Sequence, residues 1–325
     1  MTGLLAHREE KVDGGPAGHA PSRVVLVRPH HFTPNPATAA DNAFQTRLAE
    51  HPVAIAARAH DEVTGLARAL EGAGVGVSVF DDRTAATPDS VFPNNWFSTH
   101  PDGSVALFPM YAHNRRGERR TDIIESLKRD FVVRRVIDYS SAEYDERFLE
   151  GTGAMVLDHT ARVAYACRSR RLSPELLADF CGDHGYDPVL FDASDRAGTP
   201  IYHTNVLMSV GTRLALVGSS LIRDPAQREV VLGRLRDCGK TVIELTEEQV
   251  CQFAGNCIEL LGHRLVLAMS STAASSLSRE QVEVISRHCQ VLPVAIPTIE
   301  SAGGSVRCMI AGNHLRPRTP LTARG

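Results

Sequence analysis

Five polar side chains recur along the sequence at nearly constant spacing: Asn95, Glu150, His203, Asn256 and Cys308, separated by 55, 53, 53 and 52 residues. Three of these types can do covalent chemistry together. A cysteine thiolate is a nucleophile, an imidazole moves protons near neutral pH, and a carboxylate orients the imidazole and stabilises its charged form. Singly, each has a plainer explanation: a lone cysteine beside an apolar strand is usually a small core residue, and a lone histidine or acid is usually a satisfied polar group. Their joint occurrence at matching places in the chain is what singles them out. Cys308 also follows Ala302-Gly303-Gly304-Ser305, and glycines let backbone approach a ligand closely. The other six cysteines, Cys167, Cys181, Cys238, Cys251, Cys257 and Cys289, have no such loop beside them.

The elements that must hold these residues repeat as well. GAMVLDHTARVAYA from Gly153, NVLMSVGTRLALVG from Asn205 and NCIELLGHRLVLAM from Asn256 each read as an apolar strand, a short turn and a second strand opened by an arginine (Arg162, Arg213, Arg264). Alternating apolar residues around short polar turns predict antiparallel hairpins. A helix start follows each: Ser173-Pro174-Glu175, Asp224-Pro225, and Ser278 with Gln281 as a capping box. Third strands then begin near 188, 241 and 291. A fainter copy runs from Asn95 through the turn at His100-Pro101-Asp102-Gly103, a helix over Asp122–Arg129 and a strand over Val132–Ile137. A fifth unit is assembled from both ends: strands over Ser305–Ile310 and Val24–Val27, a long helix over Asn42–Leu70 and a strand over Val77–Phe80. Five strand-strand-helix-strand units joined through the termini suggest a closed ring with one core, in which equivalent positions converge near the axis; a simple α/β sandwich is the alternative for such a repeat.

The 325 residues carry a net charge of -3, with 43% hydrophobic content. That is globular and mildly acidic, and it gives no electrostatic reason to expect nucleic acid or an anionic membrane surface. The one dense basic run, HNRRGERR at 113–120, reads as a solvated loop. Seven cysteines without CxxC spacing argue against a disulfide framework or a structural zinc site. No apolar run reaches the roughly 18 residues that a membrane span requires, and the charged N-terminus lacks a secretory signal. A cytoplasmic location is expected. Residues 1–21 and 318–325 read as flexible tails around a single domain at 22–317.

At these residues the chain resembles the pentein superfamily, which includes amidinotransferases, arginine deiminases and dimethylarginine hydrolases. The matching stretches are PDSVFPNNWFS (88–98), FLEGTG (148–153), YHTNVLMSVG (202–211), FAGNCIEL (253–260) and GGSVRCM (303–309). The resemblance implies an α+β fold, a five-bladed αβ propeller. It makes Cys308 the nucleophile, His203 the general acid/base and Glu150 its carboxylate partner, with no cofactor and no metal. It places Asp89 against the planar head group of the substrate. Arg116, or its neighbour Arg115, and Arg168 are placed at the substrate carboxylate.

The departures from the family pattern bear on the substrate. Asn94 and Asn95 stand where dimethylarginine hydrolases have adjacent acids, and His203-Thr204-Asn205 stands where arginine deiminases have His-x-Asp. A guanidinium offers only donors and a positive charge, so carboxylates complement it; a ureido group is neutral and has an acceptor oxygen, which an asparagine amide can serve. Asn94, Asn95 and Asn205 therefore turn the expectation toward a small amino-acid substrate, L-citrulline, as in the citrulline-hydrolase branch of the superfamily. Deimination or demethylimination of an arginine-type substrate, amidino transfer, and a non-catalytic binding propeller are the alternatives. Homo-oligomerisation is left open.

Overall fold

The protein is described from a computed structural model over residues 18–318, Arg47 excepted. Among the described residues, fifteen strands form five three-stranded sheets. Four run in chain order. They are β3 (Phe97–Thr99), β4 (Ser104–Leu107) and β5 (Arg135–Asp138); β6 (Met155–Asp158), β7 (Val163–Cys167) and β8 (Asp187–Phe191); β9 (Met208–Val210), β10 (Leu214–Val217) and β11 (Thr241–Glu244); and β12 (Ile258–Leu261), β13 (Leu265–Ser270) and β14 (Gln290–Val294). The fifth closes through the termini: β15 (Ala311–Asn313) pairs antiparallel with β1 (Arg23–Pro29), which pairs in parallel with β2 (Gly76–Asp82). In each sheet the first two strands are antiparallel and the last two parallel. A parallel pair needs a crossover, and helices at 52–72, 121–130, 174–184, 225–237 and 279–286 supply one per unit.

The first strands lie side by side around the axis, β15 against β3, β6 against β9, and β9 against β12. Apolar clusters fill the space between sheets and under the helices, with Tyr165, Val206, Leu216 and Leu235 in one and Leu26, Leu66, Leu70 and Ile299 in another. The architecture is the five-unit αβ propeller that the family resemblance implies, and it agrees with the five repeated units. Among the described residues no helix is long and apolar enough to cross a membrane.

Local signals account for the helix starts. Ser278 and Gln281 form the full capping box, and Asp224 accepts from the Ala226 amide. Ser173 does not cap its helix. Its hydroxyl accepts from the Phe148 amide at 2.9 Å, while the Glu150 amide donates to Arg171 O, so this segment serves to hold Glu150.

Three expectations change. The first crossover helix spans Pro52–Gly72 rather than starting near Asn42, because a proline suits the first helical position and disfavours helix before it. Residues 306–309 form a helical turn rather than a strand, and the strand is the following Ala311–Asn313. Residues 19–21, placed in the tail, are buried: the His19 ring bonds Val210 O, at the axial strand β9. Arg318 is also tied down, its amide donating to Asp130 O. Residues 1–17 and 319–325 lie outside the described residues.

Candidate active site

Each first strand is preceded by a short polar turn. Those at 93–95, 151–154, 204–207 and 306–309 touch one another at one end of the ring, 151–154 meeting both 93–95 and 204–207, and 93–95 meeting 306–309. Glu150 and His203 sit at the head of their turns and Cys308 lies inside its own. Side chains far apart in sequence thereby converge. The close approach requires glycine: Gly151 has φ +45°, and a Cβ there would lie 2.6 Å from Asn94 O.

The turns border a small cavity whose walls include Cys308, His203, Asp89, Asn95, Arg115 and Arg171. The room left inside suits about one water molecule. The Cys308 sulfur receives two carboxamide donors, Asn205 Nδ2 at 3.3 Å and Asn256 Nδ2 at 3.2 Å. The His203 imidazole meets Glu150 through Nε2 at 2.9 Å. Glu150 also accepts from the Tyr111 amide at 3.0 Å and from Arg171 at 3.4 Å, and lies 3.5 Å from Arg115. Burial pushes the Glu150 carboxyl up, but Arg171, the histidine and Arg115 together hold it well below the usual carboxylate range. Burial takes His203 down to about 4 despite Glu150, which favours its neutral imidazole.

Arg115 is the electrostatic centre. It grips Glu118 with two hydrogen bonds, at 2.9 and 2.8 Å, and lies 3.6 Å from Asp89. Asn95, with its amide oriented to satisfy both ends, accepts from Arg115 at 3.1 Å and donates to Asn94. Burial raises Glu118 to about 7 against the pull of Arg115. One oxygen of Asp89 accepts from Asn35 at 2.8 Å; the other is buried without a partner. Burial raises the Asp89 pKa against Arg115 and Asn35. Arg171 reaches Asp41 at 2.8 Å and lies over the Tyr202 ring at 4.9 Å.

The structure thus brings together Cys308, His203, Glu150, Asp89, Asn95 and Asn205. It does not bring in Asn94, whose backbone carbonyl accepts from Thr152 and whose side chain only backs Asn95. Of the arginines assigned to the substrate carboxylate it brings in Arg115, but neither Arg116 nor Arg168. Arg116 turns to Met110 O and Glu143, and Arg168 is exposed and paired with Asp192. The physical reason is side-chain direction: Arg115 and Arg171, one and three residues away, face the cavity. Sequence reasoning missed Arg171, Asp41, Asn35 and Tyr202. Arg171 stood in the same basic stretch as Arg168, but the other three carried no motif.

The sequence model of the eukaryotic N,N dimethylarginine dimethylhydrolase family matches residues 28–315. No curated protein sequence matches the chain. Solved structures do. The N-terminal domain of ArgZ, an arginine dihydrolase from the ornithine-ammonia cycle in cyanobacteria, superposes with a TM-score of 0.69 at 17% identity, over 89% of this chain and 96% of that one. AgrE in complex with L-arginine gives 0.68 at 17% identity, over 89% of this chain and 39% of that one. A dimethylarginine dimethylaminohydrolase carrying an S-methyl-L-thiocitrulline adduct gives 0.59 at 17% identity, over 89% and 98%. At such identities the superpositions show the shared fold, whereas the sequence match spans nearly the whole described chain. The chain belongs to the N,N dimethylarginine dimethylhydrolase family of the pentein superfamily, whose members are enzymes acting on C–N bonds.

Proposed function

We propose that the protein hydrolyses a ureido group, converting L-citrulline to L-ornithine, carbon dioxide and ammonia. The observation that carries this reading is the pair of carboxamide donors on the Cys308 sulfur. Donors beside the nucleophile suit a carbonyl oxygen that gains negative charge as the carbon becomes tetrahedral. A ureido group has that oxygen; a guanidinium has only N–H groups to set against them. The unpartnered oxygen of Asp89 would accept an N–H of the head group.

In the proposed sequence His203 takes the proton of the Cys308 thiol as the sulfur forms a bond to the ureido carbon. His203 delivers a proton to the departing amine as the C–N bond breaks, releasing ornithine and leaving a carbamoyl thioester. Water, deprotonated by the same imidazole, then displaces the thiolate. The carbamate formed decomposes to carbon dioxide and ammonia, so one water is consumed overall. Glu150 keeps the ring oriented and supports its charged state during the transfer. Asp89, Asn95 and Asn205 hold the head group, and no cofactor takes part. Seven unpaired thiols fit a cytoplasmic setting.

A second reading has its own support. Asp41, Asp89, Glu118 and Glu150 outnumber Arg115 and Arg171 around the cavity, which favours a cationic head group. Arginine would then lose ammonia to give citrulline. Purified protein incubated separately with citrulline, arginine and methylated arginines, with products identified, decides between them. Ornithine and ammonia from citrulline support the first reading. Citrulline from arginine, with citrulline itself inert, overturns it.

A further inference from the structure

We propose that the outer edge of the fifth unit, outside the cavity that holds Cys308, carries a binding site for a divalent first-row transition ion of zinc type, built from His30, His60 and Asp81. One ligand atom from each of the three lies within 4.8 Å of the others. His30 Nε2 is buried, has no hydrogen-bond partner, and sits 3.4 Å from Asp81 Oδ1. Around a tetrahedral zinc with bonds of about 2.0–2.1 Å, neighbouring ligand atoms stand about 3.3 Å apart. The two imidazoles have centroids 5.1 Å apart at an interplanar angle of 69°, splayed as rings converging on one ion are. His60 Nδ1 lies 3.6 Å from Asp61 Oδ1, so a further carboxylate stands beside that ring.

Three elements supply the ligands. His30 directly follows β1, Asp81 lies in β2, and His60 lies in the helix that crosses between them. Two imidazoles and one carboxylate suit a borderline ion; magnesium and calcium would demand more oxygen ligands. His30 and His60 line a groove of about 680 Å³ that also includes Phe32, Pro52 and Val53, so water or a small anion can complete the coordination. Arg28 donates to Asp81 Oδ1 at 2.8 Å, which fixes the carboxylate but offsets its charge. The site is therefore a modest binder that Arg28 limits.

The thiol and imidazole of the active site could hold zinc themselves, so the test uses full-length, tag-free protein carrying Cys308→Ala. Zinc chloride is titrated by calorimetry. One equivalent should bind, and adding His60→Gln should weaken binding by about tenfold or more without changing the circular dichroism of the metal-free protein. Asp81→Asn should do the same, and His30→Gln answers the question if His60→Gln does not fold. Absence of stoichiometric binding up to millimolar zinc would overturn the proposal, as would unchanged affinity in a folded His60→Gln or His30→Gln protein.

Discussion

His203 and Glu150 meet at 2.9 Å with neither side chain open to solvent, and the environment pushes their ionisations in directions that keep the imidazole neutral and the carboxylate charged. Formation of imidazolium during turnover then depends on that carboxylate. Glu150→Gln should lower kcat by roughly 10²- to 10⁴-fold with a much smaller change in KM. Steady-state kinetics at several pH values check this. Turnover within about threefold of the parent would remove Glu150 from the proposed mechanism.

The two amides on Cys308 give a separate expectation. Asn256→Ala removes one donor to the sulfur and leaves the histidine pair untouched. If that donor serves the developing oxyanion, kcat on a ureido substrate falls by about 10²-fold. Asn205→Asp tests the same idea with charge: a carboxylate beside the sulfur should suppress attack on citrulline more than any reaction with arginine. A uniform loss on both substrates would argue that these amides only place the thiol.

Arg115 faces Asp89, Glu118 and Glu150 from a position that is 2% exposed. Removing a buried cation from its anions leaves charges that nothing else compensates. Arg115→Met should destabilise the protein by roughly 3–5 kcal/mol, or fold only when the acids protonate. Urea unfolding at neutral pH measures it, and a stability loss near zero would mean that these carboxyls are already protonated.

Gly153 shows how tightly the turns are set. A Cβ there would fall 2.8 Å from the His203 ring and against the Asn95 amide. Gly153→Ala should displace the imidazole from Glu150 and lower kcat sharply while the chain still folds, since the glycine's φ is an ordinary one. Full activity in this variant would show that the histidine position has slack.

Much of this was written in the sequence as periodicity. The strand pairs and the closing third strands follow from a repeating hydrophobic pattern, and Glu150, His203 and Cys308 recur in step with it, whereas the parallel pairing of the last two strands was not read from it. What the pattern could not give is the direction of side chains in irregular segments. Arg115 and Arg116 are adjacent in a basic run, and only packing against Asp89 and Glu118 decides which turns inward. Asp41 and Asn35 sit in the stretch between β1 and Pro52, read as partly helical, and their roles depend on contacts with residues far along the chain. The turn at 306–309 read as a strand because apolar residues in a short run fit either geometry.

The end of the axis away from Cys308 holds a string of imidazoles whose protonation should set the acid limit of stability. His100 stacks on His184 at 4.1 Å, His159 lies 4.1 Å from His314, and His100 and His159 are 6.3 Å apart. Burial, aided by neighbouring His19, Arg162 and Arg135, depresses them: His184 to about 4, His314 to about 3, and His100 and His159 well below the ordinary value. The unfolded chain binds protons at these sites near pH 6.5, whereas the folded chain refuses them until far lower pH. Stability is therefore retained in full above about pH 6.5 and lost as pH falls from there toward 4, because protons favour the unfolded state throughout that window. His203 adds to the same slope. The thermal midpoint followed by circular dichroism between pH 8 and 4 should drop across this range, and His314→Gln should flatten the fall. A midpoint constant down to about pH 4.5 would show that these rings take up protons without loosening the ring of sheets.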